Sequence, residues 1–298
     1  CDTAAAKFQS EETGLVDGVG TEADILAQIR ALVGMLPANN EDEAYAECTD
    51  NLNRACPDLA NCAGDTGILL SQISDNGVVF ETKKNYAKDM VTAFIRLNGA
   101  TVGAVANRSE IYGTDGTLEE TFDGTLSAKG AKKAAAFVKF CDAFGIPVLT
   151  ITNVKGFKAT KCSEKFMAQN VAELTYAFAD ATVPKVNVVV GQAYGSAYLA
   201  MNSKSIGADM VFAWPNAEIG MMDAKAAAKI MYADEDLATI NEKAAEYATL
   251  QNNVTSAARR GYVDTIIEPE DTRKYVIGAF EMLYSKREDR PDRKHGTV

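Results

Sequence analysis

The residues best placed for chemistry in this chain are small ones set directly before a helix. Gly195-Ser196-Ala197 lies between Tyr194 and Tyr198 and follows an apolar run that reads as a buried strand. A glycine there lets a ligand approach main-chain N–H groups at the positive end of the helix. Two other loops, Asn153-Val154-Lys155-Gly156-Phe157 and Trp214-Pro215-Asn216-Ala217-Glu218-Ile219-Gly220, leave strands in the same way. N–H groups from two such loops make an oxyanion hole, in which each donor contributes about 2.7–4 kcal/mol to the transition state. Close helix–sheet packing accounts for Gly195 and Ala197 equally well on the loops alone. Glu218 reads as a hydrogen-bond partner of a neighbouring loop or subunit rather than as a catalytic acid.

Composition narrows the chemistry further. The single histidine, His295, lies three residues from the C-terminus in a charged tail. A Ser-His-Asp or Cys-His machine and a His-ligated metal centre therefore do not fit this chain. Six cysteines are scattered, none in a CxxC pair, and Cys48, Cys56 and Cys62 match no usual zinc spacing. They read as reduced thiols, and no metal site is expected. Asp plus Glu total 41 against 30 Lys plus Arg, a net charge of -11, which excludes general nucleic-acid binding. Lys83, Lys84 and Lys88 form a small basic run, read as a solvated face with a ligand phosphate as the alternative partner. Met221, Met222 and Met231 read as core or interface residues. No apolar run reaches the roughly 18 residues of a membrane span, and the start has no signal-peptide pattern. A cytoplasmic protein is expected. The chain begins at Cys1 without Met and reads as processed or partial.

The elements that must carry these loops follow α/β grammar. Thr21 caps a helix in which Ile25, Ile29, Leu32, Val33 and Leu36 recur at helical spacing until Pro37. Residues 38–62 read as a linker or surface excursion. Gly67–Ile73 leads into the Ser74-Asp75-Asn76-Gly77 turn, and Val78–Glu81 is a short strand. Met90–Leu97 and Thr101–Ala106 form a hairpin around Asn98-Gly99. Residues 109–125 read as an exposed loop. Ser127–Phe144 is a helix with Ala131, Ala134, Ala135, Val138 and Cys141 inward. Strands are expected at Val148–Thr152, Lys185–Gly191 and Met210–Trp214, and helices at 164–181, from Gly195, at Leu237–Arg260 and at Thr272–Lys286. Helix and strand alternation implies right-handed crossovers, with the ligand at the C-terminal strand ends.

These loops also carry a resemblance. Gly145-Ile146-Pro147-Val148, Val154-Lys155-Gly156-Phe157, the stretch Tyr176–Lys185, Ala193-Tyr194-Gly195-Ser196-Ala197-Tyr198 and the stretch Ala213–Ile219 resemble the carboxyltransferase subunits of biotin-dependent acyl-CoA carboxylases and decarboxylases. Ile73–Gly77, Tyr86-Ala87, Val105-Ala106-Asn107, Arg260–Asp264 with Thr272-Arg273, and Lys294-His295-Gly296 agree as well. The motifs run in order from about residue 10 to the end. The resemblance implies an α/β fold of the crotonase-like type, a ββα superhelix. In that family an N-terminal half holds the acyl-CoA and a C-terminal half holds biotin, with active sites between halves of different subunits. This chain resembles the C-terminal half. Residues 1–45 would then be a remnant of the N-terminal half and its linker, and 46–298 the C-terminal carboxyltransferase domain.

Carried over residue by residue, the resemblance places the ureido oxygen of biotin on N–H groups near Ser196 and Ala197. Gly156, Phe157, Tyr194, Gly195 and Tyr198 would bind biotin, and Leu199 would face the acyl group, implying a short, unfunctionalised acyl chain. The implied reaction passes a carboxyl group between carboxybiotin and a CoA thioester such as propionyl-CoA or acetyl-CoA. In it the biotin N1 anion serves as base, and the protein stabilises two oxyanions. The implied partners are a biotin carboxyl carrier protein, the N-terminal carboxyltransferase half and further copies in a homo-oligomer, within a ligase complex. A sodium-pumping methylmalonyl-CoA-type decarboxylase, with a membrane subunit, is the alternative. A crotonase-type hydratase and a non-catalytic carrier-docking half are two more. The chain departs from the family's Asp-Val-Pro-Gly-Phe at Asn153-Val154-Lys155-Gly156-Phe157 and from its Gly-Gly pair at Gly195-Ser196.

Overall fold

The computed structural model describes residues 2–39 and 41–290, so His295 and most of the charged tail lie outside the described residues. The chain enters through a helical turn, α1 (Ala6–Phe8), and the helix α2 (Glu22–Val33). Thr21 and Asp24 form a reciprocal capping box at the start of α2. No residue of α2 is fully buried, and Leu26, Ile29 and Val33 stay exposed. Residues 41–62 run over the surface but are tied down. The Ala46 N–H donates to the Gly99 carbonyl at 2.8 Å and the Thr101 N–H to Ala44 at 2.9 Å, while Cys56 and Leu59 are buried.

After α3 (Thr66–Ile73) come β1 (Val79–Thr82), β2 (Met90–Leu97) and β3 (Ala100–Asn107), paired antiparallel in that order. The β2–β3 turn has positive φ at both Asn98 and Gly99, the geometry that Asn-Gly favours because it matches strand twist. Residues 109–125 are not a plain loop. They fold as a small exposed hairpin of β4 (Glu110–Tyr112) and β5 (Leu118–Thr121). Polar residues hid it, because neither strand buries a hydrophobic face.

The helix α4 (Ala128–Ala143), capped by Ser127, leads into β6 (Val148–Val154). Then follow α5 (Lys161–Asp180), β7 (Lys185–Tyr194), α6 (Gly195–Ala200), β8 (Met210–Ala213) and β9 (Glu218–Gly220). The end of the chain carries α7 (Ala224–Met231), α8 (Leu237–Tyr247), α9 (Val254–Arg259), β10 (Thr265–Ile266) and α10 (Thr272–Met282). The single helix expected over Leu237–Arg260 is broken by a π-turn at Ala248–Asn252. The helix α7 was not anticipated. The main sheet runs β1-β2-β3-β6-β7-β8-β10, with β9 also pairing β7. From β3 onward every pairing in that order is parallel.

Alternation along β2 sorts the core. Met90 and Phe94 face a cluster formed with α4 and α5, including Ala131, Ala135, Val138, Leu174 and Phe178. Val91, Ala93, Ile95 and Leu97 face a second cluster formed with α3 and α10, including Leu69, Ile73, Val276 and Ile277. The sheet is thus covered on both faces, as a parallel sheet requires.

Candidate active site

Strand β7 runs three residues beyond its expected end at Gly191 and stops at Tyr194, which is the extended N-cap of α6. Gly195 then takes φ +60°, and a Cβ there would stand 3.0 Å from the Met221 carbonyl oxygen. Both the dihedral and the close approach demand glycine. Among the described residues no side chain caps α6, and the first-turn N–H groups of Ser196 and Ala197 have no carbonyl one turn back to bond. Ser196 is exposed, Ala197 is buried, and Leu199 is 41% exposed.

A buried polar layer holds α6 in place. The Thr152 hydroxyl donates to Asn187 Oδ1 at 2.8 Å. Asn187 Nδ2 donates to the carbonyls of Met201 and Asn202 at 3.2 and 3.0 Å. Asn202 Nδ2 reaches Thr150 Oγ1 at 3.1 Å. These contacts clamp the C-terminal end of α6 onto β6 and β7. Sequence reading treated both strands as apolar and missed this layer. The signal was Thr150, Thr152 and Asn187 within otherwise apolar runs.

The second loop starts beside the first. Val154 pairs with Ala193 across a register shift in the β6–β7 ladder, so the loop after β6 and the start of α6 leave neighbouring positions. Asn153 makes the shift possible. Its Oδ1 accepts the Gln192 N–H at 3.0 Å, and its own N–H donates to Asn107 Oδ1 at 3.2 Å. A Cβ at Gly191 would stand 2.6 Å from Asn153 Oδ1, so glycine is needed there for space. The loop itself is stitched to 124–126. Lys155 N–H donates to Gly124, Leu126 N–H to Gly156, and Lys158 N–H to Leu126, at 2.8–3.0 Å. This bridge leaves out the N–H groups of Gly156 and Phe157. Lys155 is exposed, and its methylenes lie about a van der Waals contact from where a Gly124 side chain would be.

Tyr194 and Tyr198 are both buried but differ in their hydroxyls. Tyr194 donates a short hydrogen bond to Glu218 Oε2. Burial, with Glu218 adding to it, pushes this phenol well above its ordinary pKa. Glu218 therefore has the structural role expected of it, between neighbouring strands β7 and β9. The Tyr198 hydroxyl is buried with no hydrogen-bond partner among the described residues, and burial raises its pKa to about 12. A buried hydroxyl of this kind is costly unless something meets it. Neither phenol is an acid or base for neutral pH.

Exposed methionines follow the Glu218–Gly220 strand, and the Met221 carbonyl lies beside Gly195. Met221 is 76% exposed and Met222 36%, and Ile230 and Met231 on α7 are exposed as well. Met221, Met222 and Met231 are therefore surface residues rather than core. Two residues of the basic run are engaged: Lys83 contacts the Gly14 carbonyl and Asp17, and Lys88 pairs with Glu120 at 2.9 Å, while Lys84 is exposed. Among the described residues no group of three or more His, Cys, Asp or Glu is placed to hold a metal ion. No helix among them is long and apolar enough to cross a membrane.

The family model for the carboxyl transferase domain matches residues 3–298. The chain belongs to that family. A methylmalonyl-CoA decarboxylase subunit alpha from Propionigenium modestum is 39% identical over 285 residues, covering 91% of this chain and 53% of that protein. The methylmalonyl-CoA carboxyltransferase 12S subunit of Propionibacterium freudenreichii subsp. shermanii is 38% identical over 288 residues, 92% of this chain and 53% of the relative. A transcarboxylase 12S structure, a hexamer with hydrolysed methylmalonyl-coenzyme A bound, superposes with a TM-score of 0.90 at 35% identity, covering 99% of this chain and 58% of the other. The carboxyl transferase domain here is thus crotonase-like, and it spans about half the length of the curated relatives it matches.

Proposed function

We propose that this carboxyl transferase domain is the biotin-side half of an acyl-CoA carboxyltransferase acting on a short acyl-CoA of the propionyl/methylmalonyl class. The observation that carries the reading is the start of α6. Uncapped N–H groups at Ser196 and Ala197 sit at the C-terminal end of β7, beside the loop whose Gly156 and Phe157 N–H groups stay out of the local bridge. On the same helix the Tyr198 hydroxyl, buried and without a partner among the described residues, would be a further polar atom for a ureido ring. The residues present therefore fit biotin. Ser196 and Ala197 would hold its ureido oxygen, Gly156 and Phe157 would line the facing side, and Tyr194, braced by Glu218, would keep the turn rigid. Biotin on its carrier supplies the transferable carboxyl group and the base. The chain's own work is to bind, orient and stabilise an oxyanion, which suits a site without a catalytic acid of its own.

In this reading the exposed apolar flank of Leu199, Met221 and Met222 meets the acyl-CoA half, on another chain or another copy. Residues 1–45 are the end of such a half and its linker. Biotin carboxyl carrier protein is the second partner. A second reading keeps the site and changes the direction. Two methylmalonyl-CoA decarboxylase alpha subunits, from Propionigenium modestum and Veillonella parvula, are 39% and 38% identical to this chain. The chain would then serve a decarboxylase. Calorimetric titration with biocytin, and separately with propionyl-CoA, tests the assignment of halves. Biocytin binding without CoA binding is the expected result. CoA binding without biocytin binding would move the pocket to a hydratase-type reading. Copurification with a biotin carboxylase or with a membrane subunit separates the two directions.

A further inference from the structure

Strands β6 and β7 also have a cavity at their other end. At their starts, opposite the loops just described, a cavity of about 500 Å³ opens between α10, the end of α4 and residues 42–45. The seven residues of β6 put about 20 Å between this cavity and the Gly156 loop. Its walls are apolar, with Val102, Phe144, Ile146, Val183, Ile277 and Phe280 among them. One wall group is polar and unanswered. The Thr101 hydroxyl belongs to a residue 3% exposed and has no hydrogen-bond partner among the described residues, and the same residue lines the cavity. Such a hydroxyl is a cost to the fold that a bound polar atom would remove.

The mouth selects by charge. Asp42, Glu43, Glu281 and Glu288 stand around it against Lys286 and Arg287. Lys286 is already engaged by Asp209 at 2.9 Å and Glu288 at 3.3 Å. The Arg287 guanidinium donates to the carbonyls of Tyr284 and Lys286. Glu43 lies close enough to the Tyr284 hydroxyl to hold its pKa above the ordinary value. Four carboxylates against two cations leave the mouth net negative, so an anionic head group is disfavoured there.

We propose that this cavity binds a small molecule with an aromatic or branched apolar body and a neutral or cationic polar head, of the arylalkylamine class, with Thr101 as the buried hydrogen-bond partner. Cavities of this size and apolar lining, with few convergent polar groups, are typical small-molecule sites. The test titrates the 298-residue chain with tryptamine and with indole-3-acetate, which pairs a similar ring with an anionic head, followed by calorimetry and by chemical-shift changes. Saturable tryptamine binding, with indole-3-acetate at least ~10-fold weaker, is expected. Thr101→Val, which keeps the shape, should weaken tryptamine about 5-fold while leaving the unfolding midpoint equal or higher. Ile277→Trp should fill the cavity and abolish binding. Absence of saturable tryptamine binding, equal binding of the acid, or a Thr101→Val chain with unchanged affinity would overturn the proposal. So would tryptamine binding that disappears as protein concentration rises, which would assign the cavity to a second copy of the chain. Biocytin binding is read in parallel on the same samples, so failure of this site and failure of the biotin assignment are separate results.

Discussion

Two buried polar clusters in this domain are built on opposite plans. The first lies where α3, the β2–β3 turn and α10 meet. Arg273, fully buried, donates to Asp75 Oδ1 at 2.6 Å, to the Ile73 carbonyl at 2.5 Å and to the Asn51 carbonyl at 3.3 Å. Asp75 in turn accepts the N–H groups of Asn98 and Gly99 at 3.2 and 2.7 Å. Asp50 joins Arg54 at 2.9 Å and lies 3.6 Å from Arg273. Each charge is met by a counter-charge or a carbonyl. The second cluster surrounds α6, where the Tyr198 hydroxyl is unpartnered and the first-turn N–H groups lack a cap. A network that answers itself holds elements together. One that leaves donors open has capacity for a ligand. Lys133 stands between the two plans: a buried cation whose ammonium donates only to the neutral carbonyls of Tyr86 and Met90, at 2.9 and 2.7 Å.

Four substitutions sharpen or break this contrast. Arg273→Met should have the largest effect, about 3–5 kcal/mol lost in urea unfolding, because Asp75 stays buried without its cation. A loss below about 1 kcal/mol would remove the distinction between the clusters. Ser196→Trp should act in the opposite way. It places bulk over the open N–H groups from an exposed position, so biocytin affinity should fall at least ~100-fold while the unfolding midpoint holds.

Lys133 gives a pH signature. Burial lowers its pKa to about 8, below an unfolded value of about 10.4. Between these values the unfolded chain holds the proton more tightly, so stability rises with pH, by at most about 3 kcal/mol. Lys133→Met should lack that rise when the two chains are compared from pH 8 to 10.5, a range set by the same pKa pair. A parallel pH response in both would show that the ammonium does not pay a burial cost. Tyr198→Phe should be the mildest. Stability should stay within about 0.5 kcal/mol or rise slightly, since an unanswered hydroxyl is removed, and biocytin affinity should fall about 5-fold. A clear loss of stability would mean that the hydroxyl has a structural partner.

Much of the local geometry of the candidate site was legible in residue order, because caps, turns and stripes act over a few residues. Gly195 before a helix, the Asn98-Gly99 turn, the Thr21 and Ser127 caps and the apolar stripe of α4 all depend on interactions within a few residues, which spacing reports directly. The family followed from the same short motifs. The polar layer of Thr150, Thr152, Asn187 and Asn202 was not legible, because its partners lie 15 to 52 residues apart and only the packing of α6 over β6 and β7 brings them together. The β4–β5 hairpin escaped for another reason: with no buried face it leaves no hydrophobic period. The break between α8 and α9 at the π-turn likewise has no local marker strong enough to end a helical pattern.

Residue order alone was sufficient for the fold class, the parallel strands and the two loops, since hydrophobic alternation and glycine placement act over short distances. The tertiary structure decided which polar groups are satisfied. It gave Tyr194 a carboxylate and left Tyr198 and Thr101 without partners, brought Asn153 against Gly191, and opened a cavity at the far end of the sheet. Satisfaction of a hydrogen bond is a property of three-dimensional neighbours, and no spacing along the chain encodes it.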